Sequence, residues 1–515
     1  MPPSQLESLR IEGYKSARYP SWLLNGSYFE NLESFGLHNC SVLEGLPPDI
    51  RLLRHCSKLK LKNVPNLKTL PCLPAGLRHF SVQGCPLLMF ITDNELEQYE
   101  HRENLTRADH LASQLALIWE VDSGSDIKRT LKVEHASLKQ MMPLIDDDIS
   151  KQLQTFESAI QEERDELVVK ENIIKAWLCC HHQRIKLLYS RKIASQLVIP
   201  SAISELRLES CSITDEAFAD CLGGFTSLRR LTLENIMTLT TLPSEEVFDH
   251  LTKLDYLYIE SCWCLRSLGG LRAATCLFHA RFSSCPSLQL ERAAEFMPLS
   301  LRELVIHICM VSVDSFSNGL PHLEEIIMYG CRTSASLSIG HLTSLKSLNV
   351  RVSPDLCVLE GLSSLQLLEL ELIDVPKLTA RCILQLHVKE SLYVSSFELL
   401  NHMLSTEGFT IPPFLCLEQL KEPSVSFKES ASFSSVKHLK ICRCEMKSLP
   451  RNMECLSRME MLDVRCCPNI SSLPDLPSSL QKLFIMDCER LEESCRAPDG
   501  ESWPKIAHIR RKEFR

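Results

Sequence analysis

The chain repeats a short rhythm of apolar positions. In residues 228–243, LRRLTLENIMTLTTLP, the apolar positions are Leu228, Leu231, Leu233, Ile236, Leu239 and Leu242, and Pro243 closes the unit. The frame is L-x-x-L-x-L-x-x-C-x-x-L-x-x-L-P, with Ile236 in the cysteine slot. Residues 459–474 keep it through Met459, Leu462, Val464, Cys467, Ile470, Leu473 and Pro474. Residues 32–47 keep it through Leu32, Phe35, Leu37, Cys40, Leu43, Leu46 and Pro47. The second frame position recurs at Leu9, Phe35, Leu59 and Phe80, then at Leu206, Leu231, Leu257, Ala280, Leu304, Ile326, Leu348 and Leu368, and again at Leu439, Leu462 and Leu483. Neighbours within a block are separated by between 20 residues (Leu348 to Leu368) and 26 (Leu9 to Phe35).

That period is the one leucine-rich repeats use. Alternation in the x-L-x-L-x core places both leucines on one face of a short strand. The later leucines turn inward from the return segment. One unit cannot bury its own apolar face, so units stack into a solenoid with a parallel sheet. The expected fold is α/β, a leucine-rich-repeat horseshoe with a parallel concave sheet, interrupted by a largely helical insertion. The frame divides the chain into repeats at 1–92, an irregular insertion at 93–200, repeats at 201–374, a degenerate repeat or loop region at 375–433, repeats at 434–495 and a tail or cap at 496–515. Within 375–433 a weak repeat is suggested by Ile383, Leu386 and Val388.

The insertion loses the frame but keeps a rhythm of threes and fours through Met142, Ile145, Ile149, Leu153, Phe156, Ile160, Leu167, Ile174 and Trp177. Pro143 suits a helix start. Such a seam fits an amphipathic helix folded on the solenoid, a partner-binding helix or a poorly ordered segment. It is acidic, with nineteen acidic against fourteen basic residues and a knot at Asp146, Asp147 and Asp148.

Composition narrows the picture. The 515 residues are 44% apolar and 23% charged, with a net charge of −9. That is globular composition, and the charge argues against a general nucleic-acid binder. Met1–Glu7 shows no basic-then-apolar leader, and no apolar run approaches the roughly 20 residues of a membrane span. The expected location is the cytoplasm, with the nucleus as a second compartment, where the 24 cysteines should be reduced thiols.

Ten of those cysteines fall in the frame's slot: Cys40, Cys85, Cys211, Cys262, Cys285, Cys309, Cys331, Cys444, Cys467 and Cys488. They should form an inward ladder about 5 Å apart, which does not offer four tetrahedral ligands to a metal. Cys179-Cys180-His181-His182 lacks zinc-ligand spacing. No phosphate loop, H-E-x-x-H or G-x-S-x-G occurs. The chain therefore reads as a binding scaffold, not an enzyme, with no cofactor.

Binding is expected from the strand residues between and after the leucines. The candidates are Arg207, Glu209, Thr232, Glu234, Tyr258, Glu260, Arg281, His307, Tyr329, Arg351, Lys440, Asp463, Arg465, Phe484 and Met486. The same positions hold Arg10, Glu12, His38, Lys60, Lys62, Glu369 and Glu371. The apolar pair Phe484 and Met486 suits a protein contact or an intramolecular one.

The frame, its cysteine slot and the SLP and TLP endings resemble the C-terminal repeats of plant nucleotide-binding leucine-rich-repeat disease-resistance proteins, above all the coiled-coil class of grasses. The stretches LTKLDYLYIESCWCLRSLGGL, LPDLPSSLQKLFIMDCERLEESC and GESWPKIAHIRRKEFR carry the resemblance. It implies an intracellular immune receptor whose repeats sense pathogen proteins and restrain a nucleotide switch. Its partners would be a pathogen effector, a guarded host protein, or the nucleotide-binding and coiled-coil domains of a related receptor. The family carries those domains before its repeats, whereas Leu6, Leu9 and Ile11 already belong to a repeat, so nucleotide binding is not carried over. Two other readings stand beside this one. LESCSITDEAF at 208–218 resembles the repeats of ubiquitin-ligase substrate receptors, and the sequons at Asn25, Asn39, Asn104 and Asn469 would suit an extracellular receptor ectodomain.

Overall fold

The structure, a computed structural model, describes residues 6–90 and 202–515 apart from positions 21, 24–28, 30, 48–52, 68–69, 71–72, 74–75, 86–87, 289, 291–292, 313–314, 317–319, 380–385, 405–408 and 423–432. The helical seam expected within 93–200 and the Cys179–His182 cluster lie outside the described residues. The chain forms two compact units: Met1–Leu254 with Tyr258–Gly269, and Asp255–Leu257 with Gly270–Arg515.

In the first unit the x-L-x-L-x cores become five-residue parallel strands. They are β1 (Ser8–Glu12), β2 (Ser34–His38), β3 (Lys58–Lys62), β4 (His79–Gln83), β5 (Glu205–Glu209) and β6 (Arg230–Glu234). The ladder runs Leu9, Phe35, Leu59, Phe80, Leu206, Leu231 in strict register. β4 pairs directly with β5, Phe80 opposite Leu206, so the sheet keeps its register from one to the other. The next strand, β7 (Tyr256–Glu260), holds the division between the units.

The second unit begins with β8 (His279–Ser283), β9 (Glu303–His307), β10 (Glu325–Tyr329), β11 (Ser347–Arg351) and β12 (Leu367–Ile373). It continues with β13 (Val388–Val394), β14 (Phe414–Glu418), β15 (His438–Cys442), β16 (Met461–Arg465), β17 (Lys482–Met486) and β18 (Arg511–Phe514). These too are parallel neighbours in chain order.

One anchor of the frame is displaced. Leu348 pairs with Leu370, not Leu368. The slip is two residues, so the side-chain faces are unchanged; a slip of one would have inverted them. In 375–433 β13 begins at Val388, opposite Leu367, and its ladder residues are Leu392 and Val394, followed by Leu415 and Leu417 in β14; Ile383 lies outside the described residues.

The ladder side chains are almost entirely excluded from water, Leu231, Leu233, Leu462 and Val464 all at 0% exposure. Most of the strands then end in the same way. The residue after it takes a left-handed backbone: Asn39, Asn63, Gly84, Ser210, Asn235, Ser284, Gly330 and Cys466 all have φ between 50° and 62°. Its N–H donates to the next strand, as from Asn39 to Lys62 at 2.9 Å and from Cys466 to Met486 at 2.9 Å. Asn and Gly suit that conformation. Ile308 and Val352 adopt it as well, at 49° and 53°, against the preference of β-branched residues.

The slot residue follows and points inward. All ten slot cysteines are buried and free. Their thiols donate to carbonyls at the strand end, as Cys40 does to His38 at 3.2 Å and Cys467 to Arg465 at 3.1 Å. Consecutive slots also touch: the Cys444 amide donates to the Cys467 sulfur at 3.4 Å, and the Cys467 amide to the Cys488 sulfur at 3.3 Å. The ladder thus places weak donors where the strand-end carbonyls would otherwise be buried without partners.

Helix α1 (Asp215–Leu222) shows why the I-T-D stretch has its form. The Thr214 hydroxyl accepts from the Ala217 amide at 3.2 Å and caps the helix. The Asp215 carboxylate accepts from the Thr240 amide at 2.7 Å and ties this repeat to the next.

Candidate functional site

The strand residues that alternate with the ladder emerge on the open side of each sheet, in two rows set by the register. In the first unit one row runs Arg10, Gly36, Lys60, Ser81, Arg207, Thr232 and the other Glu12, His38, Lys62, Gln83, Glu209, Glu234. Arg207 joins three of the expected residues, donating to Glu209 at 3.0 Å and to Glu234 at 2.8 Å. Burial opposes its charge, but Glu234 and Glu209 together hold the guanidinium above its ordinary proton affinity. For Glu234, burial outweighs Arg207 and raises the carboxyl. Further along, the Tyr258 hydroxyl donates to the Glu260 carboxylate.

The second unit carries its own groups. Arg281 donates to His307 at 3.4 Å, and the His307 ring lies 5.7 Å from that of Tyr329, which is 44% exposed. Arg351 is the centre of a second cluster. It ion-pairs with Glu371 and reaches Glu418 at 3.3 Å. Both carboxylates are nearly closed off from water, at 3% and 6% exposure. Burial outweighs Arg351 and holds the Glu371 carboxyl above its ordinary value. Asn349 donates to Glu371 as well. Beside this cluster the rings of Tyr393 and Phe414 lie 5.2 Å apart, and Phe414 meets His438 edge-on at 4.6 Å.

Lys440 stands between Cys416 and Asp463 in the register. Asp463 accepts two bonds from the Arg465 Nε, at 2.8 and 3.0 Å. Phe484 is covered: the Arg511 guanidinium of β18 sits 5.5 Å from its ring centre. Met486 pairs with Arg465 and is half-buried.

The expected residues therefore fall into separate groups around Arg207, His307, Arg351 and Asp463. Glu371 was placed on this face by the sequence, while Tyr393, Phe414 and Glu418 were not. Their signal was weak: FLCLE at 414–418 keeps the leucine spacing at Leu415 and Leu417 but is apolar over four successive residues, and Leu420 fills the cysteine slot. Among the described residues no three His, Cys, Asp or Glu side chains gather to hold a metal, and no helix is long and apolar enough to cross a membrane.

Comparison with known proteins adds a relationship to this geometry. Residues 1–74 match the family model described as R13L1/DRL21 LRRs. The chain is 42% identical over 48 residues to a disease resistance protein of Arabidopsis thaliana, covering 9% of this chain and 4% of that protein. It is 26% identical over 294 residues to TMV resistance protein N of Nicotiana glutinosa, covering 51% of this chain and 24% of that protein. The chain thus spans less than a quarter of either relative. Among solved structures it is similar to a leucine-rich-repeat protein of Leptospira interrogans, with 13% identity, a TM-score of 0.40, and 100% and 96% of the two chains covered. It is also similar to a plant peptide hormone receptor solved in complex with RGF2, with 14% identity, a TM-score of 0.29, and 99% and 80% covered. The repeats are leucine-rich repeats similar to those of plant resistance proteins.

Proposed function

We propose that this chain is a non-enzymatic protein-recognition scaffold of plant defence, which senses a pathogen protein or a guarded host protein through the open face of its sheets. The carrying observation is the contrast between the two sides of each strand. Beneath, the ladder is apolar from strand to strand as far as β17, and only β18 departs from it, with Lys512 opposite Leu483. Above, the outward residues at equivalent positions change from Arg207 to Thr232, and from Val305 to Ile327 to Asn349 to Glu371. A uniform core with a varied surface supports recognition of a partner's own pattern, since interface energy concentrates in a few well-placed side chains. Similarity to plant resistance proteins supports the defence setting. The cytoplasm, with the nucleus as a second compartment, is part of the same proposal.

The test is a partner screen from infected plant tissue with the wild-type chain and with charge reversals at Arg207, Glu234 and Glu260, each checked for an unchanged melting profile. The proposal expects at least one partner to be lost with these reversals. Partners that all bind the reversed variants as well as wild type would refute the assignment of the face.

A further inference from the structure

Strand β3 reads Lys58-Leu59-Lys60-Leu61-Lys62. Its leucines are buried, and its three lysines are all exposed. Alternate residues of a strand share one face, so three ammonium groups stand in a line on the open side. Their neighbours across the sheet bring no negative charge. Lys58 lies between Ser34 and His79, Lys60 between Gly36 and Ser81, and Lys62 between His38 and Gln83.

Three carboxylates that flank the lysines on the open face are engaged elsewhere. Glu12 is held by Arg10 at 2.8 Å, Glu205 by His79 at 3.0 Å and Glu209 by Arg207 at 3.0 Å. Among the described residues, none ion-pairs with the three lysines. The lysines line an open depression of about 350 Å³ that His38, Ser81, Arg207 and Glu205, the last bonded to His79, also border. His38 reports the local field. Burial first, then Arg10, lowers its proton affinity against the pull of Glu12, and Lys62 and Lys60 add to the lowering.

We propose that this lysine strand is a docking track for an extended acidic segment of a partner protein, one with Asp or Glu at every second position. Alternate residues of an extended chain are about 6.6–6.8 Å apart. That is also the interval along β3, so each carboxylate of the segment meets one ammonium. A nucleic acid fits less well. A polyanion needs a basic track that continues past one strand, and here the flanking Arg10 and Arg207 are neutralised by Glu12, Glu209 and Glu234. The inference rests on reading the open face as a protein-recognition surface, and it names the chemistry recognised at one end of it.

The probe is a fluorescein-labelled peptide of alternating Glu and Ser, measured by anisotropy against the full chain at low and high salt. A peptide of the same composition with its glutamates in one block, and a single-stranded oligonucleotide of equal charge, serve as comparisons. The alternating peptide should bind tightest and weaken with salt. Affinity should fall roughly tenfold or more in K60E/K62E, because two attractive contacts become repulsive, and stay unchanged in K253E. K60Q/K62Q should show a smaller loss, and its melting profile should match wild type. Equal binding of the blocked peptide, indifference to K60E/K62E and K60Q/K62Q, or tighter binding of the oligonucleotide would each overturn the inference. A screened partner that is lost with Arg207→Glu but retained by K60E/K62E would overturn this inference alone and leave the proposed function standing.

Discussion

Cys466 and Cys467 are adjacent, yet the fold assigns them opposite sensitivities. Cys467 is at 0% exposure. Its sulfur accepts from the Cys444 amide at 3.4 Å and its thiol donates to the Arg465 carbonyl at 3.1 Å. Cys467→Leu removes the acceptor, leaving a buried N–H unpaired at about 1–3 kcal/mol, and overfills the slot at a further ~1–3 kcal/mol. The expected loss is about 2–6 kcal/mol. Cys467→Asp should cost at least as much, because a carboxylate there faces the Arg465 carbonyl and must either be buried charged or take up a proton. Cys466 is exposed and left-handed at φ 51°. Ser210, Ser261 and Ser284 hold the same conformation at 50°–52°, so Cys466→Ser should stay within about 0.5 kcal/mol of wild type. Urea unfolding of the full chain, with hydrogen exchange read over residues 461–473, measures both. The Leu and Asp variants should lose protection there while the Ser variant keeps it, and chelators should change none of the three. Equal, mild shifts in all three would refute the slot assignment.

Four further outcomes follow from the same contacts. Leu231→Ala, at a fully buried ladder position, should cost about 2–5 kcal/mol in chemical denaturation. Arg351→Met should cost about 3–5 kcal/mol by stranding Glu371 and leaving Glu418 with Arg443 alone, 3.5 Å away, and adding Glu371→Gln should recover most of it; no recovery would mean that Arg351 acts by packing alone. Ile308→Asn should raise stability by up to ~1 kcal/mol, because Ile308 is 50% exposed and left-handed. Burial pushes the Cys262 and Cys331 thiols up to about 12 and Cys85 up to about 11. The unfolded thiols ionise near 8.5–9, so above that the unfolded chain holds fewer protons and stability falls as pH rises. Thermal melting from pH 8 to 11.5 should show this decline, with a shallower slope in Cys262→Ala.

The fold was legible wherever side-chain period and local chemistry agreed. The leucine pairs gave the strands because a two-residue alternation survives sequence drift: even the misplaced anchor at Leu368 kept Glu369 and Glu371 on their faces. The cysteine slot was readable because a small, inward, weakly donating side chain is wanted at each turn. Around β13 and β14 the frame was lost where Phe397 and Leu420 fill the slot in place of cysteine, and Glu418 went unread with it. The site was less legible still. Sequence spacing places Arg351 and Glu418 67 residues apart, and only the stacking of two intervening strands, β12 and β13, brings them to 3.3 Å. The left-handed column left a partial mark, since Asn and Gly recur in it but Ile308 and Val352 do not advertise it. The covering of Phe484 by Arg511 depends on β18, which carries no leucine frame.

The central claim is that the open face of the sheets contacts a partner. Side-chain footprinting of the chain, free and with a screened partner bound, tests it most directly. The account predicts protection of open-face residues such as Arg207, Tyr258, Tyr329 and Arg465, with Tyr19 and Trp503 on the connecting segments unchanged. Protection confined to the connecting segments, with the open face as reactive as in the free chain, would contradict it.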